Sequence, residues 1–415
     1  MNGFMNWLET KFAPKLNRVS NNVWIVSIKN TMLQILPVIL LASLFCLGAV
    51  LENYVSLPFS FWSLFGWTMG LLSVFVSFLL PLNFCERKRL RSSRIVAACA
   101  GLILYFITLK PELIEDGAPG FGHAAFGAGG MFSAIATGLF VCAVFNMFGH
   151  FSFFKEDSVI PDFVRQWFDA LLPLGLIVLS GFVIVEIAGL NVYSIITSLF
   201  MPLKSVLNTW YGFIIMNFIT CFIYSMGIST WVLTPVTEPV KLTSIAANIS
   251  LVAAGTATIN NLNLFTETAM FTAYMWWGGV ACTFPLVLLL VRSKSVRLSA
   301  LGKACMAPAL FNINEPVIFG AVAFNPLLMV PMWIIGIVLP ALTWIGTKVL
   351  AFAPIPTIQF DLWYTPYPIS TWISSQGSIT AIILVIIEFL VALAIWYPFF
   401  KVYEHQVLKE EANEQ

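Results

Sequence analysis

The sequence predicts an all-α polytopic membrane protein with about ten transmembrane helices and re-entrant hairpins, and three observations predict it. Of its 415 residues, 59% are apolar and only 10% are charged, with a mean hydropathy of +0.89. Apolar runs recur from residue 31 to residue 399, each close to the ~20 residues a helix needs to cross a hydrocarbon core. Lys and Arg gather in a few short segments between those runs, the bias that assigns each loop to a side of the bilayer. No stretch outside the runs is long enough for a soluble domain. A net charge of +1 gives no case for a nucleic-acid partner.

The first 30 residues are polar and amphipathic, with Trp7, Leu8, Phe12, Leu16 and Trp24. They suit a helix lying on the membrane surface and not a cleaved signal. The first crossing is expected over 31–51, and Lys11, Lys15, Arg18 and Lys29 before it place the N-terminus in the cytoplasm. The second, 59–84, ends at the densest basic cluster, Arg87, Lys88, Arg89, Arg91 and Arg94, and therefore returns inward. A third, 95–109, leads to an external loop carrying Glu112, Glu115 and Asp116; a fourth, 129–148, comes back between the loop residues His123 and His150. Residues 155–167 are amphipathic and belong on the inner surface. The fifth crossing, 170–190, carries Glu186 at its outer end, where it can snorkel to the interface.

Residues 191–208 read as an interfacial linker, so the chain divides into segments 1–30, 31–190, 191–208, 209–400 and a soluble tail, 401–415. The sixth crossing is 209–227. Arg292, Lys294, Arg297 and Lys303 mark a cytoplasmic loop, so the run 271–291 must travel inward. A further crossing is then required before it, and only 242–259 can supply it; its polarity demands burial against neighbours. Residues 307–324 form a re-entrant hairpin with Glu315 at depth. Residues 326–352 cross outward, bent by Pro331 and Pro340; 353–376 is irregular and cavity-lining; 378–399 returns. Both termini are then cytoplasmic.

The seven cysteines lie mostly within apolar runs, with no CxxC pair and no neighbouring histidines. They read as small buried hydrophobes, and no metal or cofactor is expected.

Chemistry concentrates in the second half. The stretch FNINEPVIFG, 311–320, places Glu315 between Asn312, Asn314 and Pro316. Proline removes a backbone donor and disfavours helix at the residue before it, and a broken backbone at membrane depth lines a cavity. Three other groups share this mix of carboxylate or amide, proline and aromatic ring: 229–239 with Ser229, Trp231 and Glu238, 260–267 with Asn261 and Asn263, and 361–372 with Asp361 and Trp363. Amides and carboxylates match vicinal hydroxyls while aromatic faces pack on the C–H side of a sugar ring, so a neutral polyol is the expected substrate. Simpler readings stand beside these. Trp276 and Trp277 suit an interfacial belt, Glu238 a helix cap as well as a site, and Glu388 a structural pair.

FNINEPVIFG followed by Asn325-Pro326, the preceding Ser293-Lys294-Ser295 and Gly302-Lys303, and the later Trp363-Tyr364-Thr365-Pro366 and Tyr397-Pro398-Phe399-Phe400 resemble the lactose/cellobiose family of IIC permeases of the bacterial sugar phosphotransferase system. The similarity spans essentially the whole chain and is weaker at Ile160-Pro161-Asp162 and over 28–37. The resemblance implies a homodimer in the bacterial cytoplasmic membrane, with 31–190 as scaffold and dimerisation domain and 209–400 as an elevator-type transport domain. It implies a cytoplasmic IIB partner, phosphorylated on cysteine, that phosphorylates a β-linked disaccharide. It also implies that Glu315 contacts the sugar near the accepting hydroxyl, that Trp363 packs on the ring, and that Asn312 and Asn314 are direct or supporting partners. One departure stands out. The family's Gly-Ile-His-Gly is here Gly227-Ile228-Ser229-Thr230, and serine is no base at neutral pH. The alternative reading is therefore a facilitator without phosphorylation, or a sensor or immunity-type membrane protein on the same fold. An intramembrane enzyme on Glu315 and Asp361 lacks a metal-ligand set.

Overall fold

The computed structural model describes residues 10–11, 14–15, 18, 21–52, 58–90, 93–110, 112–113, 119–120, 123–149, 151–154 and 161–414. Trp7, Leu8, Phe12, Leu16, Arg91, Glu115, Asp116, His150 and 155–160 lie outside them, and with them half of the expected surface segment 1–30. Apart from a two-residue antiparallel pair, Glu112–Leu113 with Pro119–Gly120, the described secondary structure is helical. The chain forms two compact units, one of Val19–Pro202 with Thr234–Pro239, the other of Met1–Arg18, Leu203–Leu233 and Val240–Gln415.

The first unit is built from α1 (Val23–Leu51), α2 (Phe61–Arg87, with a tight turn at Met69–Leu71), α3 (Arg94–Thr108), α4 (Met131–Phe148) and α5 (Asp162–Phe182). The first helix begins eight residues before the expected crossing, because Val26, Ser27 and Ile28 are already buried. Lipid supplies no hydrophobic force between helices, so small side chains and interior hydrogen bonds must join them. Gly101 of α3 shows the first device: a Cβ there would lie 2.1 Å from the Ser77 carbonyl of α2. Asn83 shows the second, its Nδ2 donating to Thr31 Oγ1 at 3.0 Å and Gln34 Oε1 at 2.9 Å. Tyr105 donates to the Ala125 carbonyl at 2.5 Å. Glu186, in the π-helical turn Val183–Ile187 that continues α5, is exposed.

After α6 (Val192–Leu207), the second unit contains α7 (Trp210–Ser225), most of α8 (Thr234–Ala253), α9 (Phe284–Val291), α10 (Val296–Leu310), α11 (Glu315–Val317, continued by a π turn Ile318–Val322), α12 (Pro326–Trp344), α13 (Ile369–Ser374) and α14 (Ile379–Glu414). The expected crossing 242–259 is met only in part: α8 starts at Thr234 and ends at Ala253, and it is buried at Leu242, Ser244, Ile245 and Asn248, whereas 252–259 are exposed. Six described helices are long and apolar enough to cross a membrane, and the pair α6 and α7 offers a seventh. The count of about ten therefore rests on pieces that fall short of that standard. The 15-residue α3 is one. The run 271–291 is another, because its apolar composition does not produce one helix. It holds a π turn, Thr268–Ala273, then non-helical backbone, then the eight-residue α9. Gly278 and Gly279 with φ of 83° and 98°, and Pro285 at the head of α9, break it.

Residues 307–324 do carry a break, at 311–314, but the helix before it starts at Val296 and not near 307. Of the stretch 353–376 expected to be irregular, 353–368 is largely so, but 369–374 forms the helix α13. Six of the seven cysteines are buried and all are free thiols; Cys99 on α3 is exposed.

Candidate functional site

Non-helical backbone inside a membrane protein needs partners for every N–H and C=O, since an unsatisfied group costs several kcal/mol there. Residues 274–283 are such backbone, and the asparagines of 311–320 supply them. Asn312 Oδ1 accepts from Gly278 N at 2.9 Å, and its Nδ2 donates to the carbonyls of Trp363 at 2.7 Å and Thr365 at 3.0 Å. Asn314 Nδ2 donates to the Val280 carbonyl at 2.8 Å, while its Oδ1 accepts from Tyr224 Oη at 3.1 Å. One amide thus joins 278 to 363–365, and the other joins 280 to the end of α7. Asn312 has φ of 61°, a left-handed conformation that asparagine tolerates better than most residues. Both of its amide hydrogens are used; Asn314 keeps one donor and one lone pair in reserve.

Glu388, in the first third of α14 and 1% exposed, completes the frame. It accepts from Met275 N at 2.9 Å and Thr343 Oγ1 at 2.5 Å, which names the pair that the sequence left open. Thr371 Oγ1 donates to the Ala273 carbonyl, Tyr367 Oη to that of Tyr274, and Trp396 Nε1 to that of Cys282. Trp276 is 1% exposed and Trp277 stacks with Phe284 and Tyr367. Both therefore pack against this frame and do not form an interfacial belt.

Glu315 opens the short α11, directly after this held break. Its asparagine neighbours are buried but Glu315 itself is exposed, contrary to the expected burial of a carboxylate. The alternation is the reason: Asn312 and Asn314 turn toward 278–280, and the first residue of the new helix then faces away. The end of α7 packs beside α11. Phe324 N donates to the Ser225 carbonyl at 3.0 Å, and Trp333 Nε1 to Ser225 Oγ at 2.8 Å. The turn after α7, with Gly227 at φ 69°, lies against Ala323 and Phe324. Ser229, two residues on, is half-buried, and its carbonyl accepts from Val232 N at 3.2 Å.

Trp363 is half-buried and meets Tyr364 edge-on at 5.7 Å, held through its carbonyl by Asn312. Trp231 is half-buried in the single 3-10 turn Thr230–Leu233. Asn261 is not brought to the group. Its Oδ1 accepts from Thr258 N at 2.7 Å and its Nδ2 donates to the Thr256 carbonyl at 2.8 Å, so it closes its own exposed turn. Asp361 is 4% exposed and accepts from Thr268 Oγ1 at 3.2 Å and Gln359 Nε2 at 2.5 Å. Glu238 is buried at the front of α8. Tyr224 and Gly278-Gly279 were missed by sequence reading; the glycine pair inside an apolar run was the available signal. Among the described residues no group of three or more His, Cys, Asp or Glu could hold a metal ion.

The model of the family described as Phosphotransferase system, EIIC matches residues 29–336. The lactose-specific EIICB component of the phosphotransferase system from Staphylococcus epidermidis is 26% identical over 99% of this chain and 72% of that protein. Its counterpart from Staphylococcus haemolyticus is 25% identical over the same shares, and that from Staphylococcus aureus 26% identical over 97% and 72%. The fold is similar to the crystal structure of the transporter ChbC, the IIC component from the N,N'-diacetylchitobiose-specific phosphotransferase system. The TM-score is 0.84 over 98% of this chain and 99% of that one, at 23% identity. A family match over most of the chain, on a polytopic helical fold that holds its NINEP break in place with two buried asparagines, has one conclusion: this chain belongs to the EIIC family of the phosphotransferase system.

Proposed function

We propose that the chain is a sugar permease that imports a β-linked disaccharide of the lactose, cellobiose or chitobiose type and presents it for phosphorylation by a IIB partner. The observation that carries this reading is Glu315, exposed at the head of α11 while Asn312 and Asn314 fix the break behind it. A carboxylate so placed can accept a hydrogen bond from a sugar hydroxyl. Trp363 offers a ring face for the sugar, Asn314 its spare donor and lone pair, and Ser229 a further hydroxyl; Asn312 acts as a positioning residue, since its amide hydrogens are committed. Trp231 contributes from the turn that follows Ser229.

In the transfer step, the S–P bond of a cysteinyl phosphate on the partner breaks and an O–P bond to the sugar hydroxyl forms. The cysteine leaves as thiolate, and the hydroxyl proton passes to the Glu315 carboxylate or to water. Positioning and charge stabilisation carry most phosphoryl transfers, so Ser229 in the place of a histidine slows the step without forbidding it. The relatives named lactose-specific EIICB and the fold shared with a IIC component support the sugar class and the partner. We place both termini in the cytoplasm, treat the protein as a homodimer, and assign carriage of the sugar to an elevator movement of 209–400.

The test is transport by the purified protein in proteoliposomes, with and without phosphorylated IIB. Accumulation of the disaccharide phosphate only in the presence of the partner is expected. Unmodified sugar as the sole product in both arms would overturn the coupling and leave a facilitator.

A further inference from the structure

The far end of α14 does not end free. Glu404 Oε1 accepts from Ser293 Oγ at 2.7 Å and Lys294 N at 2.9 Å. About two turns later on the same helix, Glu411 Oε1 accepts from Ser295 Oγ at 2.7 Å and Arg297 N at 3.0 Å. Two carboxylates spaced along one helix thus clasp the short loop between α9 and α10 and fix its backbone. Lys401 pairs with Glu404 Oε2 at 2.7 Å, and Glu410 accepts from Gln406. Arg292 and Lys294 on the loop stay exposed, and Val296, the first residue of α10, is 80% exposed.

From that loop α10 runs fifteen residues, roughly 22 Å at the helical rise, toward the break that precedes Glu315. One face is buried, at Leu298, Gly302, Cys305 and Ala309. The rest of the helix is exposed at Arg297, Ala300, Lys303, Ala304, Ala307 and Leu310. Its small side chains permit close approach of another chain. Its cations continue the charge of the loop.

We infer that the clasped loop 292–297 and the outward face of α10 form the docking surface for the phosphorylated partner, with Arg292, Lys294 and Lys303 drawing in an anionic phosphoprotein and Val296 as the apolar anchor. The inference rests on the proposed coupling to IIB and adds to it where the partner binds. Charge complementarity selects this occupant: four exposed cations, Arg292, Lys294, Arg297 and Lys303, outnumber the two clasping carboxylates, one of which is also paired with Lys401, and such a face steers a phosphate-bearing protein and speeds its encounter. The surface also leads along one helix to the carboxylate assigned to the sugar.

The experiment measures binding of phosphorylated IIB to the full chain in nanodiscs, alongside the KM for phosphorylated IIB in sugar phosphorylation. The double variant Lys294→Glu with Lys303→Glu is expected to raise both Kd and KM by about tenfold at low salt, an effect that shrinks at high ionic strength, with the affinity for disaccharide unchanged. Lys88→Glu, a cation of the first unit's α2–α3 loop, serves as control and is expected to change neither. A double variant that folds, binds sugar and retains wild-type Kd for the partner would overturn the surface, as would an equal loss in the control. Partner binding that responds as expected in a protein that never phosphorylates sugar would sink the coupling and leave the docking surface standing.

Discussion

At the scale of single residues, the decisive distinction is between side chains that hold the backbone and side chains left open to a ligand. Asn312, Asn314 and Glu315 are neighbours in sequence, yet the first spends three hydrogen bonds on backbone groups, the second spends two on Tyr224 and the Val280 carbonyl, and the third is exposed. Their residue types were legible as a polar group in an apolar chain; this division of labour was not, because it depends on which way the chain turns after Asn314. Ser229 follows Gly227, which lies against Ala323 and Phe324. On our account it stands where a base would speed proton removal. Ser229→His is therefore expected to raise the rate of sugar phosphorylation about tenfold or more, within the range that a placed general base contributes, with partner affinity unchanged. Rates measured at saturating phosphorylated IIB check this, and an unaltered rate would detach Ser229 from the reacting hydroxyl.

At the scale of elements, 274–283 and 311–314 are two broken stretches that complete each other. Neither could persist alone, since leaving one buried N–H such as that of Gly278 without its Asn312 acceptor costs about 1–3 kcal/mol. Gly279 is where they come closest: its φ is 98°, and a Cβ would meet the Asn314 side chain at 2.5 Å. Gly279→Ala is expected to strain the backbone by about 1–3 kcal/mol and to push Asn314 off the Val280 carbonyl. Thermal unfolding in detergent should show a lower Tm, and disaccharide binding should weaken with it; wild-type values for both would mean that the two stretches do not support one another. The sequence made the break at Glu315 visible through Pro316 and the asparagines. It hid the break at 274–283, because ten apolar and glycine-rich residues look like a buried helix until the partners of their backbone groups are known. The irregular 353–368 was legible from its prolines, and the buried part of α8 from its polarity. The terminal reach of α14 over the 293–297 loop was not, since its carboxylates are separated from that loop by more than 100 residues.

At the scale of the whole molecule, each unit is closed by its own interior contacts: α2, α3 and α4 by small residues and by the Asn83 and Tyr105 bonds, the second unit by the Asn312, Asn314 and Glu388 frame. Such closure suits the proposed division into scaffold and carrier, with Glu315 borne by the carrier. The measurement that tests the central claim most directly is disaccharide binding to purified wild-type and Glu315→Gln protein, each checked for an unchanged Tm. Hydrogen bonds to a charged group are worth about 1.5–3 kcal/mol, so the account predicts binding about 10- to 100-fold weaker in the variant; wild-type affinity in a folded Glu315→Gln protein would contradict it.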